Sequence, residues 1–267
     1  MTMTAVPARE IARADRPTTR LHRQAELRAW HDLLESLDGT EWKRRTVCTE
    51  WDVADIVGHL CGQAEDVIRP WSFPLRDRRA KRAYPGVVLL DAHMRIQADD
   101  HRGTPPAVLR ERFDKLWARA DRTIARNPRF IRNFTVKIEG VPGFEEIDLG
   151  YVQDILLARD LWMHRDDVCQ ALGRDFDPGP YAEEVIAQVM LDVVDGPFWQ
   201  GTPVVLVLTG RGGGTYRLGE GDPIATVRID AMAFMRTLSG RDDHPVVELV
   251  DGDPAGLEAV TTCRMDF

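Results

Sequence analysis

The chain is short of cysteine, short of lysine and without long apolar runs, and each shortage excludes something. Only Cys48, Cys61, Cys169 and Cys263 occur in 267 residues, and no two form a CxxC pair. Scattered thiols of this kind exclude a disulfide framework and a thiolate zinc cluster, and they suit a reducing compartment. No apolar stretch approaches the ~20 residues that a membrane helix needs. The first twenty residues lack the apolar core of a signal peptide, so a cytoplasmic location is expected. Positive charge is in deficit: 43 acidic residues against 35 basic ones leave a net charge of −8. That balance argues against a nucleic-acid-binding face. Four lysines stand against 31 arginines, a bias that reads as genome composition and not as function.

What is present is an ordinary globular composition, 43% hydrophobic and 29% charged, long enough for two modest domains. Residues 1–19 are expected to form a mobile tail. Helical periodicity runs from Leu21 to Leu37 and again from Val53 to Ile68, the latter behind a capping-box-like Thr49 and Asp52. The Arg- and Pro-rich stretch 70–86 reads as a loop. Further helices are expected from Val87 to Asp100 and from Pro106 to the Asn127-Pro128 stop. Residues 129–148 read as a long loop or a short hairpin. A helix from Gly150 to Leu172 is apolar almost all round and therefore central. Another follows from Tyr181 to Val194. Beyond Gly196-Pro197 strands and short helices alternate, which indicates a small α+β domain over 197–267. The fold class is mainly α, a helical bundle over 20–196 followed by that domain.

The central helix carries one conspicuous polar pair, Asp160 and His164, four residues apart and so on one face. A carboxylate and an imidazole so placed can share a metal ion. They can equally form a local ion pair. His59, on the flank of the second helix, is the candidate third ligand, with a core histidine as the other reading. Two His and one carboxylate with open positions suit catalytic zinc, and open iron sites use the same ligand types. Cys48 and Cys61 flank the His59 helix and read as core packing. Trp51 and Trp71 can line a cleft or fill the core. Arg211 with Gly212, Gly213 and Gly214 lacks the context of a phosphate loop and reads as a hairpin turn.

Three stretches, in order, resemble the maleylpyruvate isomerase family. The first is Thr46-Val47-Cys48-Thr49-Glu50-Trp51-Asp52 leading to Gly58-His59-Leu60. The second is Leu157-Ala158-Arg159-Asp160-Leu161-Trp162-Met163-His164-Arg165-Asp166-Asp167, followed by Ala171-Leu172-Gly173-Arg174. The third is Phe234-Met235-Arg236-Thr237-Leu238-Ser239-Gly240-Arg241, with Asp251-Gly252-Asp253 after it. The resemblance implies mycothiol-dependent enzymes with a DinB-like four-helix bundle and a sterol-carrier-like C-terminal domain. It implies a zinc site of His59, Asp160 and His164, although the family usually has Glu where Asp160 stands. Asp is one methylene shorter and remains a competent oxygen ligand. The resemblance also implies an arginine that holds an anionic substrate or the thiol. Arg241 is the best match, with a structural ion pair at the helix end as its other reading.

The function that follows is a divalent-metal enzyme, zinc being the expected ion. It would activate mycothiol as thiolate for addition to, or substitution on, a small electrophile. The two outcomes are a cis-trans isomerase and a thiol transferase. The competing reading is a non-catalytic protein binding a metal or a small ligand on the same fold. A hydrolase using the same ligands needs a general base, and none is evident. Expected partners are the thiol and the electrophile, with no nucleic acid and no membrane, in a monomer or homodimer.

Overall fold

The structure, a computed structural model, describes residues 5–138, 142–143 and 145–265. The chain divides into two compact units, one of residues 16–177 and one of 178–267 together with the N-terminal segment up to Asp15.

That N-terminal segment departs from the expected mobile tail. A strand β1 (Val6–Pro7) pairs in parallel with the strand at Gly214–Leu218, and one 3-10 turn follows at Ala8–Glu10. Gln188 holds the segment by its side chain, accepting from Ala14 N–H at 3.1 Å and donating to Ala12 O at 2.9 Å. Arg13 pairs with Asp192. These bonds give the backbone the partners that a solvated tail would take from water. Residues 1–4 of the expected tail lie outside the described residues.

The 16–177 unit starts with α1 (Arg16–Glu35), and α2 covers Val53–Ile68. The cap of α2 lies three residues later than the sequence signal. Asp52, not Thr49, is the N-cap: its side chain accepts from Asp55 N–H at 2.9 Å, and Asp55 returns the bond. The expected loop over 70–86 is instead largely a helix, α3 (Ser72–Ala83). Pro74 falls in its first turn, where the missing N–H has no intrahelical partner to lose. Arg76 then anchors α3 by ion pairs to Glu65, Asp66 and Asp100. Helix α4 spans Leu89–Asp99 and α5 Pro106–Arg126. A single turn α6 (Arg129–Arg132) precedes an antiparallel hairpin of β2 (Thr135–Lys137) and β3 (Glu146–Asp148). Part of its connection, 139–141 and 144, lies outside the described residues. A turn α7 (Leu149–Tyr151) passes through a π-helical turn, Val152–Leu156, into α8 (Leu157–Leu172). Gly173, at φ 64°, closes α8 in the left-handed conformation that suits glycine.

Helices α1, α2, α5 and α8 bury one shared core, including Trp30, Ile56, Leu60, Phe113, Trp117 and Leu161. Phe113 lies between two indoles, 5.5 Å from the Trp30 ring and 6.4 Å from that of Trp117. Trp30 also donates from Nε1 to the carbonyl of Leu161 at 2.9 Å, tying α1 to α8. On α8 the buried surface includes charged residues as well: Arg165 donates to Glu26 at 2.5 and 3.0 Å. No helix among the described residues is long and apolar enough to cross a membrane.

The second unit begins earlier than expected, at Pro178 and not Pro197, because α9 (Ala182–Asp195) belongs to it. Its sheet has the order β1-β5-β4-β6-β7, with β4 (Val204–Thr209), β5 (Gly214–Leu218), β6 (Ala225–Asp230) and β7 (Val247–Gly252). Strands β4 and β6 run parallel, while β4–β5 and β6–β7 are antiparallel. Val204, Leu206 and Leu208 alternate inward along β4, the period-two pattern of a half-buried strand. Helices α10 (Ala231–Leu238) and α11 (Pro254–Thr262) complete the unit. Arg211, Gly212 and Gly213 lie in the turn between β4 and β5, and Gly214 opens β5, as a hairpin reading expects.

Phe113 is 1% exposed, so Phe113→Ala should destabilise the bundle by about 3–5 kcal/mol. Six of the seven tryptophans lie between residues 30 and 162, so urea unfolding followed by tryptophan fluorescence reads this unit. A change under about 1 kcal/mol would refute the packing described here.

Candidate metal centre

One face of α2 and one face of α8 meet over three ligand-type side chains. His59 comes from the second turn of α2 and is fully buried, and Asp160 and His164 come from successive turns of α8. His59 Nε2 lies 3.3 Å from Asp160 Oδ2, and His164 Nε2 lies 3.5 Å from Asp160 Oδ1. The two imidazoles stand edge to face, with ring centres 5.2 Å apart. One ligand atom from each residue falls within 4.8 Å of the others. The three residues singled out in the sequence are thus brought together. Trp51 covers them, its ring 5.1 Å from His59 and 6.1 Å from His164. Trp71 is not part of this wall and is largely exposed.

Burial and charge oppose one another here. Burial pushes the Asp160 carboxyl up, but the charge of His164, the close approach of His59 and the hydrogen bond from Gln63 outweigh it, holding the group well below the usual carboxylate range. Burial pushes the His164 imidazole down, yet the carboxylates of Asp160 and Asp167 overcome this and raise it to about 10. For His59 burial wins, and its pKa is lowered despite Asp160.

A second layer surrounds the three. Asp167, fully buried one turn on from His164, faces its Nδ1 at 2.9 Å. The Cys48 thiol donates to the same Asp167 oxygen at 3.5 Å, and Cys48, His164 and Asp167 form a second group of closely spaced ligand atoms. This corrects the reading of Cys48 as core packing. The residue is half-buried, and the loop before α2 delivers it: Thr46 and Trp51 bond across that loop, and Trp51 N–H donates to Cys48 O at 2.7 Å. Cys61 is core, as its spacing suggests, and burial holds its thiol protonated. Behind His59, Nδ1 faces Gln97 Oε1 on α4 at 2.9 Å, and Gln97 donates to Asp66 at 2.8 Å. Burial pushes Asp66 up, but hydrogen bonds from His93 and Ser72 and the charge of Arg76 hold it below the usual carboxylate range. None of Asp66, Gln63, Gln97 or Asp167 carries a motif that isolates it in sequence. Asp167 alone lies within a family-like stretch.

A cation fits this donor set. Two imidazoles and a carboxylate are zinc ligands, with positions left open. Gln63 Nε2 reaches across from α2 to Asp160 Oδ2 at 2.7 Å. Its Oε1 is buried without a hydrogen-bond partner among the described residues, an open acceptor beside the triad. Arg241 belongs to the other unit. It follows the left-handed Gly240 after α10, donates from its backbone to Arg236 O at 2.7 Å, and is half-exposed.

Protonation gives the site a testable signature. A neutral His59 and an ionised Asp160 have no proton to lose to a metal, whereas His164, raised to about 10, does. Zinc binding at pH 7.5 should therefore release about one proton per ion, and the apparent affinity should rise about tenfold per pH unit up to the His164 pKa. Calorimetry in buffers of different ionisation enthalpy measures the release. A release near zero or near two would contradict this charge assignment.

The family model described as the mycothiol maleylpyruvate isomerase N-terminal domain matches residues 23–169, which include all three ligand-type residues. No curated protein matches the sequence significantly. Two solved structures share the fold at 15% identity: the mycothiol-dependent maleylpyruvate isomerase and a histidine-to-alanine mutant of it. They align over 94% of this chain and over 97% and 99% of theirs, with TM-scores of 0.61 and 0.59. The family match spans more than half of the chain, and the chain accordingly belongs to the mycothiol maleylpyruvate isomerase N-terminal domain family.

Proposed function

We propose that the protein is a metal-dependent enzyme that uses a low-molecular-weight thiol, mycothiol, on a small electrophile, as a cis-trans isomerase or an S-transferase. The observation that carries this reading is the meeting of His59 with Asp160 and His164 inside the segment that matches the family. These three side chains hold the ion, zinc by their ligand chemistry. A bound divalent ion supplies Lewis acidity, which lowers the pKa of a coordinated thiol.

The chain's own residues do the positioning. Asp167 fixes the ring of His164 through Nδ1, and Asp160, short as it is, is steadied by Gln63. Gln63 Oε1 is free to accept from a donor on the incoming thiol. Trp51 keeps bulk water from the two imidazoles. Arg241 clamps a substrate carboxylate with its planar fork of donors. A thiolate that adds to a conjugated double bond, permits rotation about the new single bond and then leaves gives isomerisation. One that stays attached gives transfer. The solved relatives act on maleylpyruvate, so a cis-unsaturated acid of that kind is the first substrate to test.

Elemental mass spectrometry of the purified protein should find about one divalent ion per chain, and none in His164→Ala. The wild type, not the variant, should consume mycothiol or isomerise the cis acid. Metal-free protein that refuses added zinc would overturn the reading. Metal without any thiol-dependent turnover would favour the non-catalytic binding protein instead.

Arg241→Ala should raise KM for an anionic substrate at least tenfold, about 1.4 kcal/mol of lost binding, with metal content unchanged. An unchanged KM would return Arg241 to a structural ion pair.

A further inference from the structure

We propose that Gln97, pinned by Asp66, is the positioning residue that fixes the His59 ring with Nε2 open for a metal ion; this rests on the metal-site reading above. A side-chain amide can present either its oxygen or its NH2 to a ring nitrogen, and the surrounding network decides which. Here the far end decides. Gln97 Nε2 lies 2.8 Å from Asp66 Oδ2, and an ionised carboxylate only accepts. The NH2 therefore faces Asp66, and Oε1 faces His59 Nδ1 at 2.9 Å. Nδ1 must then carry the hydrogen and donate it. Nε2 keeps its lone pair and faces Asp160 Oδ2 across 3.3 Å.

Two acceptors facing each other in a buried site repel unless a cation lies between them, so the relay both selects the tautomer and leaves a cation-shaped demand. Asp66 has no freedom to relax this. Its Oδ1 accepts from Ser72 Oγ at 2.6 Å and from Arg76, and its Oδ2 accepts from His93 Nε2 at 3.0 Å as well as from Gln97. His93 is fixed in turn by Asp77 at 2.7 Å and by stacking on Phe73. Helix α4 reaches α2 only because residue 62 is glycine: a Cβ there would lie 2.5 Å from Gln97 Cβ. Outer partners of this kind orient metal-binding imidazoles and set metal affinity.

Two measurements on the full-length protein test the inference. In the zinc-loaded wild type, long-range proton–nitrogen NMR should show His59 with a hydrogen on Nδ1 and zinc on Nε2, assigned by the signals lost in His59→Ala. Zinc on Nδ1, or a hydrogen on Nε2, overturns the proposal whatever any variant does. The second measurement uses Asp66→Asn. It is nearly isosteric, but its NH2 can face Gln97, reverse the amide and put the hydrogen on His59 Nε2. Asp66→Asn and Gln97→Leu should each weaken zinc binding about 10–100-fold in competition with a chromophoric chelator. Wild-type affinity in either variant, with native circular dichroism, overturns the proposal. If both variants fail to fold, the wild-type spectrum decides alone. A wild type that binds no zinc overturns the metal reading itself, a result distinct from zinc bound through the wrong nitrogen.

Discussion

Charged and polar groups placed inside a helical bundle must be paired there, because each one left without a partner costs several kcal/mol. Helix α8 concentrates this constraint. Asp160, His164, Arg165 and Asp167 lie in the middle of the bundle, and each draws a partner from another helix or from its own next turn. Arg165 takes Glu26 of α1, His164 takes Asp167, and Asp160 takes Gln63 of α2 and faces His59. The helix register of the whole unit follows from satisfying these demands together with the apolar core. A rotation of α8 by one residue would take these charged groups away from their present partners.

The same demands make the site. Apolar packing alone would close the space between α2 and α8. Instead, two imidazoles and a carboxylate meet there, and each imidazole has its second nitrogen engaged from behind, one by a carboxylate and the other by an amide. The two backings are chemically different. Asp167 favours the charged form of His164, while Gln97 is neutral and leaves His59 to the effect of burial. One histidine is thus held with a proton that a metal must displace, and the other is ready to bind. This asymmetry is a property of the second layer and not of the ligands.

Much of the architecture was legible locally. The amphipathic runs behind α1, α2, α4 and α5 and the alternation along β4 announce themselves, since side-chain direction repeats every 3.6 residues in a helix and every two in a strand. The failures were places where a distant partner overrides a local signal. Stretch 70–86 looks like a loop from its Arg and Pro content, but Arg76 gains three carboxylates by folding into α3. The N-terminal segment looks like a tail, but Gln188 of α9 supplies its missing hydrogen bonds. Helix α9 looks like a bundle helix, and its amphipathic face is the same whichever unit it covers.

By itself the sequence determined the helical class, the two-part organisation, and the three ligand-type residues. The i, i+4 spacing of Asp160 and His164 is intrinsic to a helix, and the His59 stretch carries a family resemblance. Only the tertiary structure decided that Cys48 and Asp167 stand behind His164, that Gln63 braces Asp160, and that Gln97 and Asp66 stand behind His59. The reason is geometric. Local periodicity fixes which face of a helix a residue occupies, but which donor meets which acceptor depends on the rotation and offset of one helix against another. Those are set only when all the buried partners are satisfied at once.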